Sequence, residues 1–461
     1  MTRHAIISRP IKLGLTLTLV VALLAFLARA ASAQQAGDST VRLTLAEAVR
    51  MAARQSASVE SARSRVDAAQ ARVTQRRADL LPNLSAAVSE RSGTLNSAAA
   101  FPIDFPTAPG AQPLFDRNGS ILGPLNVFDA RLRVTQAVYD PAARTRVRAA
   151  RTGVEAASAE AAASADVAAS GAANAYLAVL RADAVYRART QDSTLAAELL
   201  QIARDQLAAG TGVALDVTRA RSQLTGARAQ LIVARNDRER TRVDLARALG
   251  LPLVNIVLAD SLGSLSMEQD AGEAVALRTA LAARRDLQAM SLQARAAREQ
   301  AAAIRGERLP TVGVLADVGE SQRNGRSFLP TYDLGIQLTV PIFDGSRREG
   351  RVAEQLSVVR DLENRARDQR TQVEADVRNA VLNLNSSREA VAASRERLML
   401  AEQEVAQARE RFQAGVSGNA DVITASITLN SARTQLVDAL TAFQASRVSL
   451  SRAQGGIATL D

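Results

Sequence analysis

Two hydrophobic periods run through this chain, one of seven and one of two. From residue 377 onward every seventh position is large and apolar: Val377, Leu384, Val391, Leu398, Val405 and Phe412. Three positions after each stands a small residue: Ala380, Ser387, Ser394, Ala401, Ala408 and Gly415. Large then small at the a and d places lets helix backbones approach closely in a left-handed coiled arrangement. The same register, with more faults, aligns Ala172, Val179, Tyr186, Ser193, Leu200 and Leu207 beside Ala175, Ala182, Arg189, Ala196, Ala203 and Gly210. The pattern predicts very long helices over 142–209 and 346–414, and shorter ones over 45–79, 213–249, 274–308 and 418–454. Asp140-Pro141 offers an N-cap followed by proline at the first helical position, and Asp344 an N-cap for the second long helix. Gly210 and Gly415 read as the glycines that follow helix ends. Gly153 and Gly171 read as close-packing points. The first long helix spans roughly 100 Å at ~1.5 Å per residue, far beyond a globular domain.

The period of two appears in four short runs. In 128–140, Phe128, Ala130, Leu132, Val134 and Val138 share one face, interrupted by Gln136, while Asp129, Arg131, Arg133 and Thr135 share the other. In 332–340, Tyr332, Leu334, Ile336, Leu338 and Val340 oppose Asp333, Gly335, Gln337 and Thr339. In 312–318, Val312, Val314, Ala316 and Val318 oppose Gly313, Leu315 and Asp317. In 83–89, Leu84, Ala86 and Val88 oppose Asn83, Ser85 and Ser89. Such runs are about the length of strands that cross a bilayer at a tilt.

The chain is also written twice. The stretch 208–220 (AAGTGVALDVTRA) matches 413–425 (QAGVSGNADVITA), 81–88 matches 309–316, and 128–140 matches 332–344. The first half carries 24 extra residues within the Pro- and Phe-containing stretch 93–126. Each half reads helix, strand, loop, strand, very long helix, tight turn, helix.

Composition narrows the chemistry. There is no Cys, and His4 is the only histidine in the chain. Arg3, Arg9 and Lys12, the apolar run 13–27 and Ala31-Ser32-Ala33 together read as a secretory signal peptide over 1–33. That run is too short to span a bilayer as a helix. Cleavage leaves 53 basic and 47 acidic residues, net +6, and no histidine. Without Cys there is no disulfide, thiol nucleophile or lipid anchor on Cys. Without His the commonest general base and metal ligand is missing. There is no phosphate-binding glycine loop and no compact carboxylate pair. No catalytic residue, cofactor or metal site is assigned, and nucleic acid is not expected as a partner for an exported chain.

Four strands cannot make a transmembrane barrel, because both edges would be unsatisfied in lipid. The chain must therefore join with copies of itself. Two copies would supply eight strands and three would supply twelve. The competing reading is a structural coiled-coil scaffold of the cell envelope.

The duplicated Leu-Pro strand starts at Pro82 and Pro310, the stretch 339–345 (TVPIFDG) and the duplicated turns leading to Asp216-Val217 and Asp421-Val422 resemble the TolC family of outer-membrane efflux proteins. The similarity covers about 43–456. It implies a mainly α fold with a small β part. Long antiparallel coiled-coil helices would form an α-barrel, and four strands per chain would contribute to a shared, twelve-stranded barrel in a homotrimer. It further implies a passive channel in the outer membrane of a Gram-negative bacterium with a periplasmic extension, in contact with outer-membrane lipid. Its partners would be a periplasmic adaptor (membrane fusion) protein and a proton-driven or ATP-driven inner-membrane pump, in multidrug efflux or type I secretion. Asp421 matches the first of two aspartate rings that narrow the periplasmic entrance, and Thr424 stands at the second. Asp216 matches an aspartate of the closing latch, while Phe412 and Ser417 replace its tyrosine and arginine partners. Gly210 and Gly415, with Phe412, match the adaptor-docking tips. Asp129, Arg131, Arg133, Asp317 and Asp333 would face the barrel lumen. Asp216 and Asp421 have a simpler alternative role, as caps of the helices that they open. The expected organisation is a first repeat over 34–251, an equatorial linker over 252–272, a second repeat over 273–456 and a tail over 457–461.

Overall fold

The computed structural model describes residues 41–96, 121–252, 256–265, 272–414 and 416–457. The leader 1–33, Gly415 and residues 458–461 of the tail lie outside them, as do 97–120 of the segment 93–126 and parts of 252–272.

The chain begins with β1 (Val41–Leu43), α1 (Leu45–Gln55) and α2 (Ala57–Ala78). Strands β2 (Asn83–Asn96) and β3 (Ile121–Tyr139) follow, then α3 (Pro141–Ala208) and α4 (Ala214–Leu249). After β4 (Ile256–Leu258) the second half has α5 (Glu273–Ala283), α6 (Arg285–Gly306), β5 (Thr311–Arg323) and β6 (Leu329–Thr339). It ends with α7 (Arg347–Gln413) and α8 (Asn419–Ala453).

The two long helices have 68 and 67 residues, roughly 100 Å each. α3 starts as expected: the Asp140 carboxylate accepts the Ala143 N–H at 2.8 Å, with Pro141 in the first turn. Beyond its end Gly210 has φ +74°, and the Thr211 N–H returns to the Gln206 carbonyl at 3.0 Å. Each long helix folds back on its successor. Ala196, Leu200 and Ala203 of α3 pack with Ala220, Leu224 and Ala227 of α4. Ala401 and Val405 of α7 pack with Ala425, Leu429 and Ala432 of α8. The heptad residues Val377, Leu384, Val391, Val405 and Phe412 are buried, as are Ala380, Ser387 and Ala401. Small residues at alternate places leave room for the neighbouring backbone, which is how an Ala-rich chain keeps tight packing.

The segments expected as single helices over 45–79 and 274–308 are each broken, at Ser56 and at Arg284. The breaks are equivalent under the repeat. Gly250, at the end of α4, has φ +70°, and a Cβ there would lie 3.1 Å from the Gln55 carbonyl oxygen. Gly455, beyond α8, has φ +77°, and its Cβ would lie 3.0 Å from the Ala283 carbonyl carbon. Each break is thus the bed on which the shorter helix of a hairpin ends. Arg284 ties the second break to α7 through Asp376 at 2.9 Å and to Asp286 at 2.6 Å. In the first break the Ser56 and Ser58 hydroxyls face each other at 3.1 Å.

Two further expectations are corrected. Ser346, at φ +66°, occupies the N-cap of α7; Asp344 lies outside the cap and accepts from the Arg348 N–H at 3.2 Å and Nε at 2.7 Å. Among the described residues a Cβ on Gly153 or Gly171 would meet nothing within 4 Å beyond its own stretch of helix, so neither is a close-packing point against another described element.

Midway along the helices a small layer joins the two ends of the chain. β1 pairs in parallel with β4. The Asp260 carboxylate accepts the Leu45 N–H and can accept the Tyr176 hydroxyl, each at 2.8 Å. Burial and Asp260 push the Tyr176 hydroxyl well above its ordinary range, so it stays a donor. Leu43, Val49, Tyr176, Leu249, Ile256 and Ile457 close one apolar cluster there.

Gly250→Ala and Gly455→Ala are each expected to destabilise the protein by roughly 1–2 kcal/mol through the left-handed backbone alone, with the carbonyl collisions adding to it. Thermal unfolding followed by circular dichroism should show lower midpoints for both. An unchanged midpoint in both variants would show that the breaks do not depend on these glycines.

Candidate functional site

The strands form one antiparallel sheet in the order β2–β3–β5–β6, longer than the runs expected from alternation. Its central pairing, β3 with β5, joins the two halves of the chain. The register sorts the side chains into two faces. Leu84 opposes Val134, Leu132 opposes Val318, Ala316 opposes Leu334 and Val314 opposes Ile336. On the other face Ser85, Arg133, Asp317 and Asp333 form one row, and Arg131 and Asp129 lie in the next two. A bulge between Ala137 and Tyr139 shifts the register, which brings Tyr139 opposite Val312 of the apolar face.

Among the described residues nothing covers the apolar face. Ile336 is 80 % exposed, and Leu84, Val88, Tyr332, Leu334 and Leu338 are exposed with it. A contiguous exposed apolar face of this kind marks contact with lipid or another protein. From Phe128 to Tyr139 it runs twelve residues, roughly 36 Å of strand. At a tilt of ~40° that is about 27 Å of height, close to the apolar band of an outer-membrane barrel. Glu90 and Glu320 stand at its far end, opposite Phe128 and Ala130. The Phe128 and Phe328 rings meet edge to face there, 5.8 Å apart.

The polar face carries an ion cluster. Arg131 Nε donates to Asp129 at 2.7 Å and its Nη1 to Asp317 at 2.8 Å. Arg133 approaches Asp317 at 3.8 Å. The Asp317 side chain is only 5 % exposed beneath these arginines. Gly319 makes this possible: a Cβ would collide with the Ala130 carbonyl and the Arg131 side chain. Asp333 shares the face but lies outside the cluster, on strand β6. Among the described residues, strands β2 and β6 each have one neighbour and one unpaired edge.

The other candidate residues lie at the far ends of the helical hairpins, about 100 Å from the sheet. Asp421 and Thr424 are exposed on the first turns of α8. The Thr424 hydroxyl donates to the Ala420 carbonyl at 2.9 Å. Asp216 lies in the first turn of α4, 3.9 Å from Arg219. Val213 and Gly418 hold the N-cap positions without side-chain bonds, so Asp216 and Asp421 do not cap these helices. A carboxylate in a first turn is still favoured by the helix dipole. Phe412 is buried against Leu199 and Val422, which removes it from any docking surface. Gly210 is exposed, with Val213 and Leu215 exposed nearby in the chain, and Val416 is exposed at the turn of the second hairpin.

Two amides at these ends were not singled out by sequence. Gln206 Nε2 donates to the Phe412 carbonyl at 3.0 Å, and Asn419 Nδ2 to the Asp216 carbonyl at 3.0 Å. Both join the first hairpin to the second. The buried Asn419 Oδ1 and the Ser417 hydroxyl have no hydrogen-bond partner. A buried asparagine in the first turn is a weak signal, because Asn there reads first as a surface cap. Among the described residues no cluster of acidic or other ligating groups could hold a metal, and no helix is long and apolar enough to cross a membrane.

The sequence pattern of the outer membrane efflux protein family matches residues 48–251 and 276–456. The chain belongs to this family. Members of the outer membrane efflux protein family are channels rather than enzymes. Solved structures share the fold of this member. The Campylobacter jejuni CmeC outer membrane channel superposes with a TM-score of 0.74 at 16% identity, covering 89% of this chain and 85% of that one. The Vibrio cholerae outer membrane protein VceC gives 0.70 at 19%, covering 89% and 96%. The Neisseria gonorrhoeae MtrE outer membrane channel in its open state gives 0.73 at 18%, covering 90% of each. No curated protein matches the sequence.

Proposed function

We propose that this efflux protein is the passive exit duct of a tripartite efflux or type I secretion assembly. Three copies would close their sheets edge to edge into a twelve-stranded barrel and their helices into a hollow periplasmic cylinder. The observation that carries this reading is the two-faced sheet: apolar and uncovered on one side, polar and charged on the other, with both edges free. In lipid those edges must be paired, and pairing with copies of the chain turns the polar face inward. The residues Asp129, Arg131, Arg133, Asp317 and Asp333 then line a water-filled lumen. Their mixed charge gives no strong preference for anions or cations. The same reading divides the chain into a leader over 1–33, a first repeat over 34–251, an equatorial linker over 252–272, a second repeat over 273–456 and a tail over 457–461. It places the assembly in the outer membrane of a Gram-negative cell, with the helices reaching through the periplasm.

Nothing in the sequence resembles a nucleotide-binding loop, so energy would come from a proton-driven or ATP-driven inner-membrane pump through a periplasmic adaptor. Asp421, exposed at the far end, would contribute one carboxylate per chain to a ring around the entrance, with Thr424 one turn further and Asp216 beside it. A ring of three carboxylates in a narrow pore attracts cations. Gly210 and Gly415 would mark the tips that meet the adaptor. The uncovered apolar sheet face is what a water-soluble envelope scaffold would lack.

In planar bilayers the purified protein should conduct, and Asp421→Ala should weaken block by divalent cations several-fold. Wild-type single-channel behaviour in that variant would reject the ring. Tryptophan at Gly210 or Gly415 should abolish cross-linking to a co-expressed adaptor, and retained cross-linking would reject docking at the tips.

A further inference from the structure

Each helical hairpin has its own apolar core, but the seam between the two hairpins changes character along its length. Near the equator Val448, Val437 and Ala445 of α8 pack into the apolar cluster of Ala169, Ala173 and Leu177 of α3. Toward the tips the seam mixes polar contacts with small apolar clusters. Arg181 meets Asp438 at 2.8 Å just beyond the equatorial cluster; nearer the tips Glu198 meets Arg409 at 3.1 Å, and the Gln206 and Asn419 amides bond to carbonyls across the seam. Among these contacts Leu199, with Leu195 and Ile202, packs against Phe412, Ala408 and Val422, and Leu195 also touches the core of the second hairpin.

At the change-over sits Asp192, whose side chain is 2 % exposed. It accepts from Arg189 Nη1 at 3.1 Å on its own helix and from Arg433 Nη1 at 3.0 Å on α8. With its amide nitrogen turned toward the carboxylate, Asn430 of α8 donates to both Asp192 oxygens. Arg189 Nη2 also reaches the Thr434 hydroxyl of α8 at 3.1 Å. Arg189 stands at a heptad place that is otherwise mostly small, the clearest fault in the first-half pattern. A single polar set inside a coiled-coil seam costs stability but fixes register, since sliding the helices leaves a buried charge unpaired.

We propose that the Asp192–Arg189–Arg433–Asn430 knot pins the two hairpins of one chain in axial register and divides the seam into a fixed upper part and a separable lower part. Exposed pairs such as Arg181–Asp438 contribute little to this, because water and salt screen them. Arg433 stands on the second hairpin and carries the charged arm that crosses to Asp192, beside Asn430 and Thr434, so cutting it loosens the lower seam without altering α3 itself. The pin acts whether or not the assembly conducts, so its test is independent of the channel reading.

Hydrogen exchange on the purified full-length protein tests it. Asp192→Ala and Arg433→Gln should each speed exchange at least ten-fold over 204–217 and 412–424, and leave 172–184 and 437–450 at wild-type rates. Arg181→Ala should change neither region. If Asp192→Ala fails to assemble, Arg433→Gln decides alone. Wild-type protection of the tips in Arg433→Gln would overturn the proposal. A uniform rise over the whole of α3 and α8, or an equal effect from Arg181→Ala, would overturn it as well.

Discussion

A β-strand with a free edge cannot stay free in hydrocarbon. Each unpaired N–H and C=O there costs several kcal/mol, and β2 and β6 both present such an edge. The apolar face of the sheet makes water an equally poor home. The proposed closed sheet built from several copies satisfies both surfaces at once. The other features of the chain fit that demand. The duplicated halves supply two hairpins of similar shape, and the helices continue from the strands through Asp140 and Asp344 without an intervening domain.

The helices meet a different constraint. Helical hairpins roughly 100 Å long have no bulky centre, so they must hold together by close contact between neighbours. Alternating large and small residues do this between α7 and α8. Where the helices must end against each other, at the equator, left-handed glycines take over. Gly250 and Gly455 each enter a break in the opposite helix, and the two sites correspond under the repeat. Their surroundings have diverged: the first is apolar, with Ala48, Ala52 and Ala172 nearby in one cluster, while the second is held by Arg284, Asp286 and Asp376.

Much of this was legible in residue patterns. Period seven located α7 and its buried face, Asp140-Pro141 fixed the start of α3, and period two sorted the sheet residues into apolar and polar sets. What was not legible has a common cause: it depends on residues distant in sequence. Ser56 and Arg284 carry no proline or glycine signal, because the breaks are imposed by the helix ends packed on them. β1 and β4 have three residues each, too few to show a period. The bulge that brings Tyr139 opposite Val312 is a matter of register against β5. The shift of the α7 cap from Asp344 to Ser346 is a local choice, in which a longer reach to Arg348 replaces a direct cap. At the candidate site, Arg131 and Asp317 could be assigned to one face but not to one cluster, since their pairing needs the β3–β5 register and Gly319. Asp192 gave no signal beyond the heptad fault at Arg189.

Edge closure is tested most directly by the mass of the detergent-extracted protein, measured by native mass spectrometry with the lipid face intact. A single species of three chains is expected, with β2 of one chain cross-linking to β6 of the next through engineered cysteine pairs in this cysteine-free sequence. A stable monomer in lipid, with both edges still reactive, would contradict it.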